Sequence, residues 1–241
     1  MPDFGYKDVA PEEKTRLVGR VFTSVAQRYD IMNDMMSLGI HRLWKRRFVA
    51  ACHLKQGELL LDLAGGTGDI ARLAADRGAR VSVADINHAM LNVGRGRMDA
   101  EGRVGGLDWL QVNAEKLPFA DRSYDHVTIV FGLRNVTHRD AALAEMYRVL
   151  KPGGRVHIME FSKVGLPVLG SLYDAWSFQV MPRLGAAIAR DKESYQYLAE
   201  SIRRFPDQET LAGLLETAGF EDVGWENYSA GICAVHRGIR T

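Results

Sequence analysis

The sequence predicts an α/β chain: a doubly wound, mostly parallel seven-stranded sheet with a reversed last strand, preceded by helices and carrying a helical insertion before its last two strands. Three observations predict it. From Gly57 to Phe161, short apolar runs of strand length alternate with stretches of helical period. A glycine loop, Gly65-Gly-Thr-Gly, falls between the first such strand and the first such helix. Near the end, two strand-like runs flank Ser229-Ala-Gly231 and read as a hairpin.

Residues 1–56 read as a helical and basic cap, with ten Lys/Arg against six Asp/Glu. Pro11-Glu-Glu opens a helix as Pro does in a first turn, with acids near the positive end of the dipole. Val21–Leu43 carries Phe22, Val25, Tyr29, Met32, Met35, Met36 and Leu38 near helical spacing, and His41–Ala51 forms a further helix. The cofactor-binding core, 57–161, follows. Its strands are Glu58–Ala64, Arg80–Asp85, Leu107–Val112, His126–Phe131 and Arg155–Phe161. Its helices are Asp69–Asp76, Ala89–Arg97 and Arg139–Leu150, the last stopped by Lys151-Pro-Gly-Gly. Strand–helix alternation of this kind makes a parallel sheet. Residues 162–205 break the rhythm with aromatic-rich helical sequence. In 206–241, a helix over Asp207–Ala218 precedes the hairpin Val223–Tyr228 and Ile232–His236. No repeat or linker divides the chain, so all of it reads as one domain.

Composition narrows the function classes. With 31 Lys+Arg against 30 Asp+Glu the formal charge is +1, so no field draws the chain to nucleic acid. Cys52 and Cys233 fit neither a disulfide scaffold nor a zinc spacing, and no metal site is expected. Neither a signal-like stretch nor a run of membrane-spanning length occurs, and the expected location is the cytoplasm.

The loop Gly66-Thr-Gly68-Asp-Ile-Ala71, with Asp85 ending the second strand, suits a nucleotide whose ribose hydroxyls meet the acid. A dinucleotide and S-adenosylmethionine both satisfy that pattern. Charge separates them. A pyrophosphate seeks donors and positive potential at the helix start, whereas Asp62 and Asp69 bracket that position here. Two acids suit an ammonium and a sulfonium better than two phosphates. Asp69 is equally well explained as a dipole-stabilising first-turn acid. The terminal hairpin, and the lack of a second catalytic domain for hydride chemistry, point the same way. The expected cofactor is a methyl donor.

Leu61-Asp-Leu-Ala-Gly-Gly-Thr-Gly-Asp, Ala84-Asp-Ile-Asn, Asn113-Ala-Glu-Lys-Leu-Pro-Phe, Phe131-Gly-Leu-Arg-Asn-Val and Met146-Tyr-Arg-Val-Leu-Lys-Pro-Gly-Gly occur in that order. Together they resemble the C-methyltransferases of ubiquinone and menaquinone biosynthesis, which have a class I, Rossmann-like methyltransferase fold. Phe4-Gly-Tyr, the segment Val21 to Asp34, and Asp191-x-x-Ser-Tyr-x-Tyr-Leu-Ala-Glu-Ser-Ile-Arg extend the resemblance over essentially the whole chain. It implies S-adenosylmethionine as cofactor and a prenylated benzoquinol or naphthoquinol as acceptor. Its binding residues carry over as Thr67 in the loop, Asp85 on the ribose and Asn113-Ala114 beside adenine; Asn113 is also explicable as a turn residue. Gly66, Gly68 and Asp62 complete the expected cofactor set. Some relatives have a small hydroxyl residue where Val130 stands here, so no polar contact is carried over at that position.

A quinone ring is too electron-poor to attack a sulfonium methyl, but a quinol, and better a quinolate, can. The site therefore needs a group that holds or removes a phenolic proton. Arg134 and Asn135, just past the fourth strand, are the leading candidates, with Asp174, Asp191, Tyr195 and Tyr197 of the insertion behind them. Arg134 would stabilise a quinolate oxygen or orient a water; the competing reading is an Arg paired with a carboxylate. His126 and His157 read as structural, and His41 as a helix-surface residue. Apolar side chains such as Met32, Met36, Trp44 and Trp176 read chiefly as packing, with some left to form a tail channel. Arg42, Lys45, Arg46 and Arg47 form a solvated basic face that is also suited to transient contact with a membrane surface. A homo-oligomer or a quinone-biosynthesis assembly is compatible with the exposed helices. The rival functions are methylation of another small phenol or amine, NAD-dependent oxidoreduction, and a non-catalytic partner role.

Overall fold

The computed structural model describes residues 2–37, 39–102, 106–164, 176 and 192–241. Seven strands form one sheet: β3 (Leu59–Leu63), β4 (Arg80–Asp85), β5 (Leu107–Gln111), β6 (Tyr124–Val130), β7 (Leu150–Phe161), β8 (Glu221–Tyr228) and β9 (Cys233–Ile239). Their spatial order is β5-β4-β3-β6-β7-β9-β8, parallel from β5 to β7, with β9 antiparallel to both β7 and β8. The expected reversed strand is β9, slotted between β7 and the edge. Chain order reverses at β3, and a sheet of this kind binds ligand at the carboxyl ends of the strands beside that point.

Leu60, Leu61 and Leu63 are buried because β3 is covered on both faces, the reason for its continuous apolar run. Leu60 packs in a core with α1 (Pro11–Val25), α3 (His41–Ala51), α4 (Asp69–Ala75) and α7 (Lys192–Arg204). Leu61 and Leu63 pack in the opposite core with α6 (Arg139–Val149) and α8 (Gln208–Thr217). α2 (Tyr29–Ser37) adds Met32 and Met36 to the first core, and α5 (His88–Ala100) adds Leu91. The first-turn signals hold at α1, where Pro11 precedes Glu12 and Glu13. Asn87 and Asp207 cap α5 and α8 by accepting from the amides of Met90 and Thr210.

Three local expectations are corrected. The first residues are not helical: β1 (Asp3–Phe4) and β2 (Lys7–Asp8) pair as a hairpin, turned at Gly5 with φ +60°. Lys151-Pro-Gly-Gly does not separate α6 from the fifth core strand. β7 begins directly at Leu150, pairs with Tyr124 across a bulge, and Gly153 and Gly154 bond the backbone of Arg240. The fourth core strand stops at Val130, because Phe131 turns left-handed at φ +55°.

Candidate active site

Where β3, β4 and β6 end, the loops open a cleft with two connected lobes. Tyr29, Ala64, Gly66 and Phe131 line both. The larger lobe is walled by Asp85, Asn113, Ala114 and Asn135 from the sheet side and by Val18 and Phe22 from α1. The smaller holds Asp62, Thr67, Lys45 and Asp69. The backbone is strained at this rim: Ala64, after β3, and Phe131, after β6, both adopt positive φ without being glycine. Gly132 follows Phe131, and a Cβ there would lie 2.5 Å from that of Ala64. The two strand ends approach too closely for any side chain between them.

The glycine loop has two distinct parts. Gly66 (φ +54°) faces the cleft and donates its amide to Asp85 Oδ2 at 3.0 Å. Gly68 (φ +79°) starts α4 and turns away; a Cβ there would lie 2.6 Å from Trp109. Gly66 belongs to the site and Gly68 to its support.

Asp85 lies half-buried on the cleft floor. Burial raises its pKa to about 6, against the pull of the Asn87 and Gly66 amides. Oδ1 takes the Asn87 amide at 2.7 Å, and the remaining acceptor positions are open to hydroxyl donors. Asp62 is fully buried and lifted to about 7 by desolvation, opposed by the Thr128 hydroxyl on Oδ1 at 2.8 Å. Its Oδ2, and Oγ1 of buried Thr67, have no hydrogen-bond partner among the described residues. Two orphaned oxygens in one lobe fit a charged amino group that donates to both. Asp69 is different: it meets Lys45 at 2.6 Å, and although burial raises its pKa, Lys45 brings it below the usual carboxylate value. Its charge is already answered by Lys45.

Asn113 and Ala114 line the cleft beside Val112. Asn113 Oδ1 also accepts the Glu115 amide at 2.9 Å, so the residue shapes its own turn and keeps its NH₂ free of that bond.

The candidates for acceptor chemistry separate. Asn135 lines the large lobe. Arg134 does not: it is buried, meets Glu160 at 2.8 Å and donates to the Phe131 carbonyl at 2.7 Å. Tyr195 is buried in the core and lines neither lobe. Asp174 and Asp191 lie outside the described residues. His41 is not on a helix surface; it is buried with Nε2 2.8 Å from Asp34. The basic face is largely tied up as well, since Lys45 pairs with Asp69, Arg42 with Asp34 and Arg47 with Glu226. Met32, Met36 and Trp44 are core residues.

Two contributors escaped the sequence reading. Tyr29, placed there among apolar packing residues, lines both lobes. Asn87 ties α1 over the cleft by donating to the Gly19 carbonyl and the Thr23 hydroxyl, each at 3.0 Å. Its partner Gly19 lies 68 residues away in sequence.

Sheet order, the antiparallel strand beside the edge and the glycine loop at the strand ends are those of the class I S-adenosylmethionine-dependent methyltransferases. The model of the ubiE/COQ5 methyltransferase family matches residues 8–240, and the chain belongs to that family. It is 56% identical over 241 residues to the ubiquinone/menaquinone biosynthesis C-methyltransferase UbiE of Xanthomonas axonopodis pv. citri, covering 98% of this chain and 95% of that one. The Klebsiella pneumoniae subsp. pneumoniae protein of that name is 53% identical, with 98% and 96% covered. Among solved structures, an S-adenosylmethionine-dependent methyltransferase from Thermotoga maritima superposes with a TM-score of 0.66 at 23% identity, covering 93% of this chain and 100% of the other. A phosphoethanolamine N-methyltransferase of Haemonchus contortus, solved with S-adenosyl-L-methionine, gives 0.60 at 18%, covering 82% and 52%. These two share the fold.

Proposed function

We infer that this enzyme methylates a ring carbon of a prenylated quinol, with S-adenosylmethionine as donor, in ubiquinone and/or menaquinone biosynthesis. The observation that carries the reading is identity above 50% with the UbiE proteins over nearly the whole of both chains. When bound, the cofactor supplies an electrophilic methyl on a sulfonium. Asp85 would accept from its ribose, Asn113 and Ala114 would border the adenine, and Asp62 and Thr67 would hold its amino group. Asp62 and Asp85 would be deprotonated when holding the cofactor.

On the acceptor side, Phe22, Tyr29 and Phe131 give apolar walls for a ring. Asn135 presents an amide to the ring oxygen and favours the quinolate. Arg134 acts through its pair with Glu160, fixing the turn that carries Asn135. We assign residues 1–56 as the cap; most of the expected cover, 162–205, lies outside the described residues. No described helix is long and apolar enough to cross a membrane. A prenylated acceptor nonetheless resides in lipid, and we place the enzyme at the inner face of the membrane during turnover, as a monomer, a homo-oligomer or part of a biosynthetic assembly.

Incubation with labelled cofactor and a panel of chemically reduced, demethylated benzoquinones and naphthoquinones tests the reading. A product heavier by one methyl, on a ring carbon, is expected. Label on a heteroatom, or on no quinol at all, would remove the proposal.

A further inference from the structure

The Phe4-Gly-Tyr segment and the second tyrosine of the Asp-x-x-Ser-Tyr-x-Tyr run have no part in holding the cofactor, yet they converge on one cleft residue. Tyr197, buried on α7, donates its hydroxyl to Asn135 Oδ1 at 2.9 Å. The other end of that amide, Nδ2, lies 3.4 Å from the Phe131 carbonyl, which can only accept. This fixes the amide's orientation: oxygen toward Tyr197, NH₂ toward the strand end, on a residue that lines the cleft.

Tyr197 is itself held. Its ring stacks on Phe4, centroids 4.2 Å apart and planes 14° from parallel. Phe4 belongs to the β1–β2 hairpin, which is fastened to α7 where Glu200 accepts the Tyr6 amide at 3.0 Å. A side chain at Gly5 would strike Glu200 at 2.2 Å, so this seating requires glycine. The hairpin also carries Asp3, which pairs with buried Lys14 at 3.1 Å. Lys14 in turn donates to the Val136 carbonyl at 3.1 Å, one residue past Asn135. The side chain of Asn135 and the backbone of the residue after it are thus both tied to the first residues of the chain, although that hairpin takes no part in the main sheet.

We propose that Tyr197, braced by the Phe4 hairpin, is a positioning residue that aims the Asn135 amide NH₂ at the acceptor's ring oxygen. The proposal rests on the quinol-methylating reading above. Burial drives the Tyr197 phenol well above its ordinary pKa, though Arg134 opposes this, so the hydroxyl stays a donor throughout the working pH range.

Tyr197→Phe keeps the ring and the Phe4 stack and removes only the hydroxyl. It is expected to lower kcat about tenfold, the scale of one well-placed hydrogen bond, with cofactor Kd changed less than twofold. In an Asn135→Ala background the same substitution should cost nothing further. Phe4→Ala, which leaves the hydroxyl but frees the ring, should give a smaller loss that also vanishes in that background. Parental kcat in Tyr197→Phe, or losses that add in full to that of Asn135→Ala, would overturn the proposal. Should the parent methylate no quinol, the functional reading fails and the Asn135 side-chain amide decides this one by NMR. Its two proton resonances are expected to move in Tyr197→Phe, and unchanged resonances would exclude the device.

Discussion

At the residue scale, Arg134 and Asn135 are neighbours in sequence with opposite surroundings. Asn135 opens onto the cleft, while Arg134 is enclosed with Glu160, both side chains nearly inaccessible at 1% and 2% exposure. Removing one member of such a pair strands the other charge, at a cost of about 3–5 kcal/mol. Arg134→Ala is therefore expected to lower the denaturation midpoint strongly while cofactor affinity per folded molecule holds; a midpoint equal to the parent's would show that the pair anchors nothing. Asp62 and Asp85 make a second prediction. Raised to about 7 and about 6 by burial, both are partly protonated in slightly acid solution. A cationic ligand binds the deprotonated forms, whose population grows with pH. Calorimetric affinity for S-adenosylmethionine should rise about a hundredfold between pH 5.5 and 8, and a flat profile would contradict the assigned carboxylates.

At the scale of elements, the glycine loop shows how one motif divides its labour. Gly66 meets the cleft, whereas Gly68 turns the chain into α4 against Trp109 of β5. An alanine at 68 combines a left-handed backbone with a Cβ 2.6 Å from that indole. Gly68→Ala should cost about 1–3 kcal/mol in stability, read by chemical denaturation, and unchanged stability would mean that Trp109 moves aside freely. α3 carries a different lesson. Its arginines and lysine look like a solvated stripe in sequence, but Lys45 is buried because the helix packs on α4 and aims it at Asp69. Helical period tells which residues share a face; it does not tell which face another element will cover.

For the molecule as a whole, acid tolerance depends on imidazoles buried far from the cleft. His157 is driven to about 3 by burial, with the charges of His126 and Arg155 adding to it. His126, lowered by burial against the pull of Glu58, stacks on it with centroids 5.6 Å apart. The unfolded chain takes up these protons below about pH 6.5, while folded His157 refuses its proton until about pH 3. Its contribution to stability is therefore complete above pH 6.5 and declines as pH falls toward 3. His157→Gln removes that titration, so the stability difference between parent and variant should shrink from pH 7.5 to pH 5. A difference independent of pH would deny the imidazole this role.

The sequence by itself determined the strand–helix alternation, the glycine loop, the acid at Asp85, the terminal hairpin and the family. Each of these is local, a matter of period, turn chemistry or a run of adjacent residues. Only the tertiary structure decided that Asp62 keeps an unanswered oxygen while Asp69 does not, that Arg134 turns inward as Asn135 turns to the cleft, and that the first residues fold as a hairpin on α7. Those outcomes depend on partners far off in sequence: Lys45 is 24 residues from Asp69, Glu160 lies 26 from Arg134, and Tyr197 lies 62 from Asn135. Charge and burial act through space, and neighbours in space are set by the sheet order that brings β3, β6 and β7 together.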